Sequence, residues 1–411
     1  MGYNQCVDEA PVGWLVDAIG QVIRLHIRGV DEHKSLAERF RCTDAAEAGF
    51  AEAIDAMPCG RRKAGRVANM DEGIDTIPAS SSTDAVNDVV ATACWTASLR
   101  AGFSSSFAQD PWAASLGGAE GAMLIDRFKS LGGHNVMSRT FYIRTMYFDM
   151  VIDDFVSAGG KQILSIAAGL DTRQLRLPCL CDNPSATVYE VDFARALDLK
   201  RARLKADGRP LPTGGAKTVD VPADVSVEGW EKELLSRGFD VGAKTLVLAE
   251  GITMYLDGAS NARLFATLAK LVPAGSVVTG DFIHQWVIDD PYEPIKSALE
   301  VFRSLDAPWL WGPSSPAELR RMLERAGGDG PSDAGFHQRE ILIAMAATKV
   351  VNRRLAKRGL PPLASPPLPE LQLGKIVRNI IRNKWAKRYA GFPGPGVFCF
   401  VKSSGTSDKA K

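Results

Sequence analysis

From about residue 145 onward, stretches built like strands alternate with stretches built like helices, and this alternation restricts the fold more than any other feature. Short apolar, β-branched runs occupy 162–166, 187–191, 245–249, 276–282 and 338–346, with another at 397–401. Helical spacing of apolar residues fills most of the intervals. Such a βαβ rhythm predicts a doubly wound α/β fold with a mainly parallel sheet and helices on both faces. A chain of 411 residues holds one large domain of this kind or two modest ones. No repeat of 20 to 50 residues is present.

The first strand leads into ILSIAAGLDTRQLRL, residues 163–177. A strand, a turn of small residues and a helix let the backbone approach a ligand at the carboxyl edge of the sheet, where doubly wound folds bind nucleotides. Ala167, Ala168 and Gly169 supply the turn, and only Gly169 enters positive φ freely. The glycine fingerprint of dinucleotide sites is absent. Glu190 and Asp192 close the next strand, about 20 residues after Asp171, a spacing at which an acid in this fold meets ribose hydroxyls. The competing readings are a solvated strand end or a cap for the helix that follows.

The bulk numbers exclude several classes. A net charge of +1 gives no global reason to expect nucleic-acid binding, and no apolar run approaches the ~20 residues of a membrane span. The start, MGYNQCVDEAPVGWL, has no basic region leading into an apolar one, so no secretory leader is expected. Seven scattered cysteines read as reduced thiols, and Cys179 with Cys181 is a weak metal signal; the expectation is a cytoplasmic protein without a catalytic metal.

Two regions fall outside the alternation. Residues 1–60 have helical spacing and precede a polar linker at 61–83; a further helix is expected over 84–100. Residues 349–390 hold eleven Lys or Arg and one acid, Glu370, split by a proline-rich break at 361–369. Within them 371–389 reads as a basic amphipathic helix. It either packs on its own protein with a solvated face or meets a membrane surface or acidic partner. A homodimer or surface contact through this helix or the N-terminal helices fits the same pattern.

Five motifs occur in order: DPWA (110–113), RTMYFD (144–149), AAGLDTR (167–173), YEVDF (189–193) and AEGITMYL (249–256). Together they resemble the leucine carboxyl methyltransferase-like family of S-adenosylmethionine-dependent O-methyltransferases, including its bacterial small-molecule branch. The resemblance runs from about residue 84 to 345 and resumes at 397–402. It implies a class I methyltransferase domain over 84–411 with an insertion at about 349–395, and S-adenosyl-L-methionine as cofactor. It implies that Arg144 pairs with the cofactor's carboxylate, a task suited to a guanidinium fork. Gly169 becomes the glycine under the cofactor, with Ala168 and Leu170 beside it. Asp192 becomes the ribose acid, with Glu190 a second candidate. Asp224 and Val225 take the adenine edge, where Asp220 and Val221 compete, and Glu250 lies near the cofactor's amino group.

The implied reaction moves a methyl group to a carboxylate or hydroxyl of a small, acidic or polyketide-like acceptor. A protein C-terminal carboxylate, or a non-catalytic binding role for the same fold, are the other readings. A carboxylate needs no general base at neutral pH, whereas a hydroxyl benefits from one. His284, just past a predicted strand end, is the candidate base, although a lone histidine also packs or orients. Arg139 binds an acceptor carboxylate or faces water. The run Trp309–Pro313 walls an apolar acceptor pocket or belongs to the core.

Overall fold

A computed structural model describes residues 89–103, 109–131, 134–289, 291, 295–328, 335–342, 344–362 and 396–404, with the side chains of all but 89, 134–137, 139 and 344–348. The described residues fall within one compact unit. The expected N-terminal helices, the linker and the 371–389 helix lie outside them.

Three helices come first: α1 (Val89–Ala101), α2 (Ala113–Ser130) and α3 (His134–Ser157). The alternation then runs β1 (Gln162–Ile166), α4 (Arg173–Arg176), α5 (Pro178–Cys181), β2 (Thr187–Asp192), α6 (Ala194–Asp207), β3 (Lys217–Pro222), α7 (Glu231–Ser236), β4 (Thr245–Ala249) and α8 (Gly258–Leu271). It closes with β5 (Val277–Phe282), α9 (Gln285–Asp289), α10 (Ile295–Ser304), α11 (Pro316–Glu324), β6 (Phe336–Leu342), α12 (Ala344–Lys357) and β7 (Gly396–Lys402). The seven strands are ordered β3-β2-β1-β4-β5-β7-β6. The first five pair in parallel, and β7 runs antiparallel to both its neighbours. The doubly wound, mainly parallel sheet expected from the sequence is therefore the one that forms.

Burial explains which strands are conspicuous. Every residue of β1 and β4 is buried, because helices cover both faces; such strands read as unbroken apolar runs. Side chains alternate between two cores. Leu164, Ile166, Val247 and Ala249 meet Leu264, Phe265 and Leu268 of α8 on one face. Ile163, Leu246 and Leu248 meet Met146 and Phe148 of α3 and Val351 and Leu355 of α12 on the other. In β7, Phe398 and Phe400 join the first core and Val397 and Cys399 the second, the period of two at work.

Two boundaries differ from the sequence reading. β3, which the apolar pattern does not announce, forms the sheet edge and buries only Val221 fully. The strand expected at 338–346 ends at Leu342, and helix α12 starts at Ala344. The run AMAA is a strong helix former and turns the chain there. Val351 and Leu355, at the start of the expected insertion, pack into the second core.

β1 is the switch point: β2 and β3 lie to one side, β4 and β5 to the other. A crevice opens where connections leave a sheet in opposite directions, outside the carboxyl ends of the strands. This crevice carries the candidate site.

Candidate functional site

The loops after β1, β2, β3 and β4 converge on a cavity of about 260 Å³, closed on the outer side by α1 and α3. A larger hollow of about 940 Å³ lies at the amino ends of β1 and β5, beside Lys161, Lys244 and Arg339. Doubly wound folds bind ligands at the carboxyl ends, so the smaller cavity is the candidate.

Its floor is the turn after β1. Ala167 and Gly169 both sit at φ 52°. This is easy for glycine and strained for alanine. A Cβ at Gly169 would approach the Ala93 methyl of α1 to 3.3 Å, so the bare backbone keeps the floor open. The Gly169 N–H donates to Asp192 Oδ2 at 2.6 Å, and the Phe193 N–H donates to Oδ1 at 2.7 Å. The turn and the end of β2 are thereby locked together. Each carboxylate oxygen retains acceptor capacity for a ligand hydroxyl. Burial nevertheless pushes the Asp192 carboxyl above its ordinary range, against the pull of those two amides.

Asp224 and Val225 line the cavity beyond β3, and Asp224 Oδ1 accepts from the Ser226 amide at 2.9 Å. Asp220 is instead occupied by Arg201 at the surface. Ala168, Leu170, Arg144 and Glu250 complete the expected set around the cavity.

Three expected residues do not join them. Glu190 is buried away from the cavity and takes both its hydrogen bonds from Lys200 Nζ, at 2.6 and 2.7 Å. It ties α6 to β2, and its second-candidate role as a ribose acid is corrected accordingly. His284 lies outside the cavity lining, half-buried and edge-on to Phe282 at 5.5 Å. Burial holds its imidazole below the ordinary value, partly offset by a hydrogen bond to the Pro313 carbonyl. Arg139 is on α3, with its side chain outside the described residues. From the aromatic run at 309–313, Trp309 reaches the cavity and Trp311 packs beside Gly258. Tyr255, which follows β4 in a short 3₁₀ turn, also lines the cavity with Met254 and Phe141.

Beneath the cavity lies an ion network that the sequence reading leaves unassigned. Arg144 Nε donates to Glu250 Oε1 and Nη1 to Asp281 Oδ2, each at 2.9 Å, and its guanidinium stacks 4.1 Å above the Phe141 ring. Arg173 reaches Asp149 at 2.6 Å, Glu250 at 2.7 Å and Asp171 at 2.9 Å. Arg176 holds both Asp149 oxygens at 2.8 Å. Burial alone would raise the Glu250 and Asp171 carboxyls, but the guanidinium groups outweigh it and hold both below the ordinary range. At Asp281 burial prevails over Arg144 and the Gly251 amide, and its carboxyl is raised. Arg100 bridges Asp110 and the Leu170 carbonyl, and Thr172 donates to the same Asp110, which fastens α1 to the floor turn. The signal for this network is a set of acids inside apolar runs, such as Asp149 in RTMYFD and Asp281 in VVTGDF. Buried charges require partners. Among the described residues no cluster of three His, Cys, Asp or Glu side chains is arranged to hold a metal. No helix among them is long and apolar enough to cross a membrane.

Residues 89–269 match the leucine carboxyl methyltransferase family model. A provisionally named S-adenosyl-L-methionine-dependent methyltransferase of Mycobacterium avium is 35% identical over 162 residues, which cover 39% of this chain and 50% of that protein. A protein of the same name from Mycolicibacterium smegmatis is 37% identical over 144 residues, covering 35% and 43%. The chain thus spans about half or less of the length of these relatives. Among solved structures, a DUF574 family protein from Streptomyces avermitilis superposes with a TM-score of 0.43 at 12% identity, covering 76% of this chain and 97% of that one. The segment that matches this family model, residues 89–269, carries the floor turn, Asp192 and Glu250.

Proposed function

We propose that this protein is an S-adenosylmethionine-dependent methyltransferase that methylates an oxygen, a carboxylate or a hydroxyl, of a small-molecule acceptor. One observation carries the reading: Arg144, Gly169, Asp192, Asp224 and Glu250, scattered over more than a hundred residues of sequence, meet around a single cavity at the switch point of the sheet.

The residues fit the cofactor chemically. S-adenosylmethionine, when bound, supplies a methyl group already activated on a sulfonium sulfur. Asp192, fixed by the amides of Gly169 and Phe193, is an acceptor for ribose hydroxyls. Gly169 lets a flat ligand rest on bare backbone. Asp224 is an acceptor for an exocyclic amine, and Val225 supplies an apolar edge beside it. Arg144 offers a guanidinium to a carboxylate and Glu250 a carboxylate to an ammonium group. A displacement of this kind asks the protein mainly for alignment of two partners, an effect worth roughly 7–11 kcal/mol. Phe141, Met254, Tyr255 and Trp309 wall the part of the cavity near Arg144 with apolar surface that excludes water from an acceptor. A carboxylate acceptor would need no base; for a hydroxyl, His284 lies outside the cavity lining, and burial raises the Tyr255 phenol and keeps it protonated.

Isothermal titration of the full chain with S-adenosylmethionine and S-adenosylhomocysteine tests the cofactor assignment. Wild type is expected to bind both, and Asp192→Ala to lose at least tenfold in affinity. An absence of binding by wild type refutes the assignment. A panel of carboxylic acids and phenols, followed by transfer of a labelled methyl group, then separates the two acceptor chemistries; transfer to nitrogen or sulfur compounds only refutes the oxygen specificity.

A further inference from the structure

The buried Asp281 joins two parts of the cavity that are far apart in sequence. One oxygen, Oδ2, accepts from Arg144 Nη1 of α3 at 2.9 Å; the other, Oδ1, accepts from the Gly251 amide at 2.6 Å. Asp281 is fully buried near the carboxyl end of β5, and its carboxylate is not among the groups that line the cavity. Its backbone carbonyl accepts from Thr253 Oγ1 at 2.7 Å, so the same residue also secures the turn that leads to Tyr255. Gly251 sits at φ 69°, and its amide points at Asp281 only in this conformation of the Glu250–Gly251 turn.

The electrostatic arrangement singles out Asp281 from the other acids nearby. Glu250 meets Arg144 from the cavity side and is shared with Arg173. A ligand carboxylate arriving at Arg144 would compete with Glu250 for the guanidinium. Asp281, at 0% exposure, cannot be displaced by solvent or ligand. It therefore acts as the fixed end of the pair, and it holds Arg144 at Nη1 whichever group engages the rest of the fork.

We propose that Asp281 is a positioning residue: through Arg144 and the Gly251 amide it sets the carboxylate-binding end of the cavity and leaves the adenosine end untouched. The inference rests on the cofactor reading above, and the experiment separates the two. Asp281→Asn is nearly isosteric; its amide oxygen can still accept from Gly251, while its NH₂ opposes the Arg144 donor. The probes are S-adenosylhomocysteine, which has the carboxylate, and 5′-methylthioadenosine, which has the adenosine and thioether but no carboxylate. For Asp281→Asn the expected result is at least a tenfold loss of affinity for the first and less than a twofold change for the second.

Arg144→Met and the double variant Arg144→Met/Asp281→Asn complete a cycle. If Asp281 acts through Arg144, the double variant binds S-adenosylhomocysteine as weakly as Arg144→Met alone, because the carboxylate arm is already lost. The double variant also has no unpaired guanidinium, so the comparison survives if Asp281→Asn alone does not fold. Equal losses for both probes, or additive losses in the cycle, reduce Asp281 to a structural residue and overturn the proposal. Failure of wild type to bind either probe refutes the cofactor reading, and this inference with it. Binding of 5′-methylthioadenosine by wild type without S-adenosylhomocysteine overturns the carboxylate-end proposal while leaving an adenosine site in place.

Discussion

Replacing Lys200 by methionine separates the acid of β2 that ties down α6 from the one that lines the cavity. Lys200 and Glu190 are 4% and 2% exposed and 2.6 Å apart, so the substitution leaves a buried carboxylate with no counter-ion. Removing one partner of a buried pair costs about 3–5 kcal/mol. The magnitude depends on pH, because the stranded carboxyl can take up a proton. In the wild type, burial, against the pull of Lys200, pushes Glu190 up to about 7. A carboxyl raised in this way contributes most to stability below its ordinary value near 4.5, and that contribution is lost as pH rises through 7. Without Lys200 the value rises further, so the variant's deficit grows by about 1.4 kcal/mol per pH unit above 7. A loss of about 3–5 kcal/mol is expected at pH 9, with a small residue at pH 6. Urea denaturation followed by tryptophan fluorescence at both pH values measures it. Adding Glu190→Gln should restore most of the loss, since the unpaired charge is gone. The rescued double variant should bind S-adenosylhomocysteine within twofold of wild type, whereas Asp192→Asn should not. A pH-independent deficit would refute the electrostatic account. Loss of binding in the rescued variant would return Glu190 to the cavity.

The two positive-φ residues of the floor turn respond in opposite directions. Ala167→Gly removes about 1–2 kcal/mol of left-handed strain and adds about 0.4–1 kcal/mol of unfolded-state freedom, so a gain of about 0–1.6 kcal/mol is expected by thermal or urea denaturation; a clear loss would contradict the strain argument. Gly169→Ala imposes the same strain of about 1–2 kcal/mol and brings a methyl to 3.3 Å from Ala93, so it should lower stability and weaken S-adenosylhomocysteine binding together; unchanged affinity would show that nothing rests on that turn. His284, held below its ordinary value near 6.5 by burial, makes the folded state lose stability as pH falls below 6.5. The difference between wild type and His284→Gln, measured from pH 5 to 7, should shrink toward pH 5, and a constant difference would show that the imidazole does not titrate on unfolding.

What the sequence reveals here follows from what is local. β1 and β4 are legible because burial on both faces leaves an unbroken apolar run, and β3 is not because an edge strand needs only Val221 inside. Gly169 and Asp192 are legible because a turn and the end of the next strand fall at a fixed spacing in this architecture. Glu190 misleads for the same reason: it is two residues from Asp192 and shares its strand face, and only Lys200 on the following helix decides between them. An acid in the middle of VVTGDF announces that a partner exists, since a bare buried carboxylate is not tolerated. It does not say that the partner is Arg144, 137 residues earlier.

The buried network is also the part of the molecule that stability alone explains least. Arg144, Arg173 and Arg176 are shared among Asp149, Asp171, Glu250 and Asp281, four carboxylates for three guanidinium groups. Apolar residues of similar volume would often fill such a space at equal or greater stability. The neighbouring cores, with Phe265, Phe282, Phe398 and Phe400, show that this chain packs apolar side chains densely a few residues away. The charges sit instead at the carboxyl ends of the central strands, under the crevice that the switch in strand order creates. Buried charge gathered at the edge where this architecture binds ligands is the arrangement a recognition role would call for. The excess of acids over guanidinium groups then suits a ligand that brings positive charge of its own, as a sulfonium with a free ammonium group does.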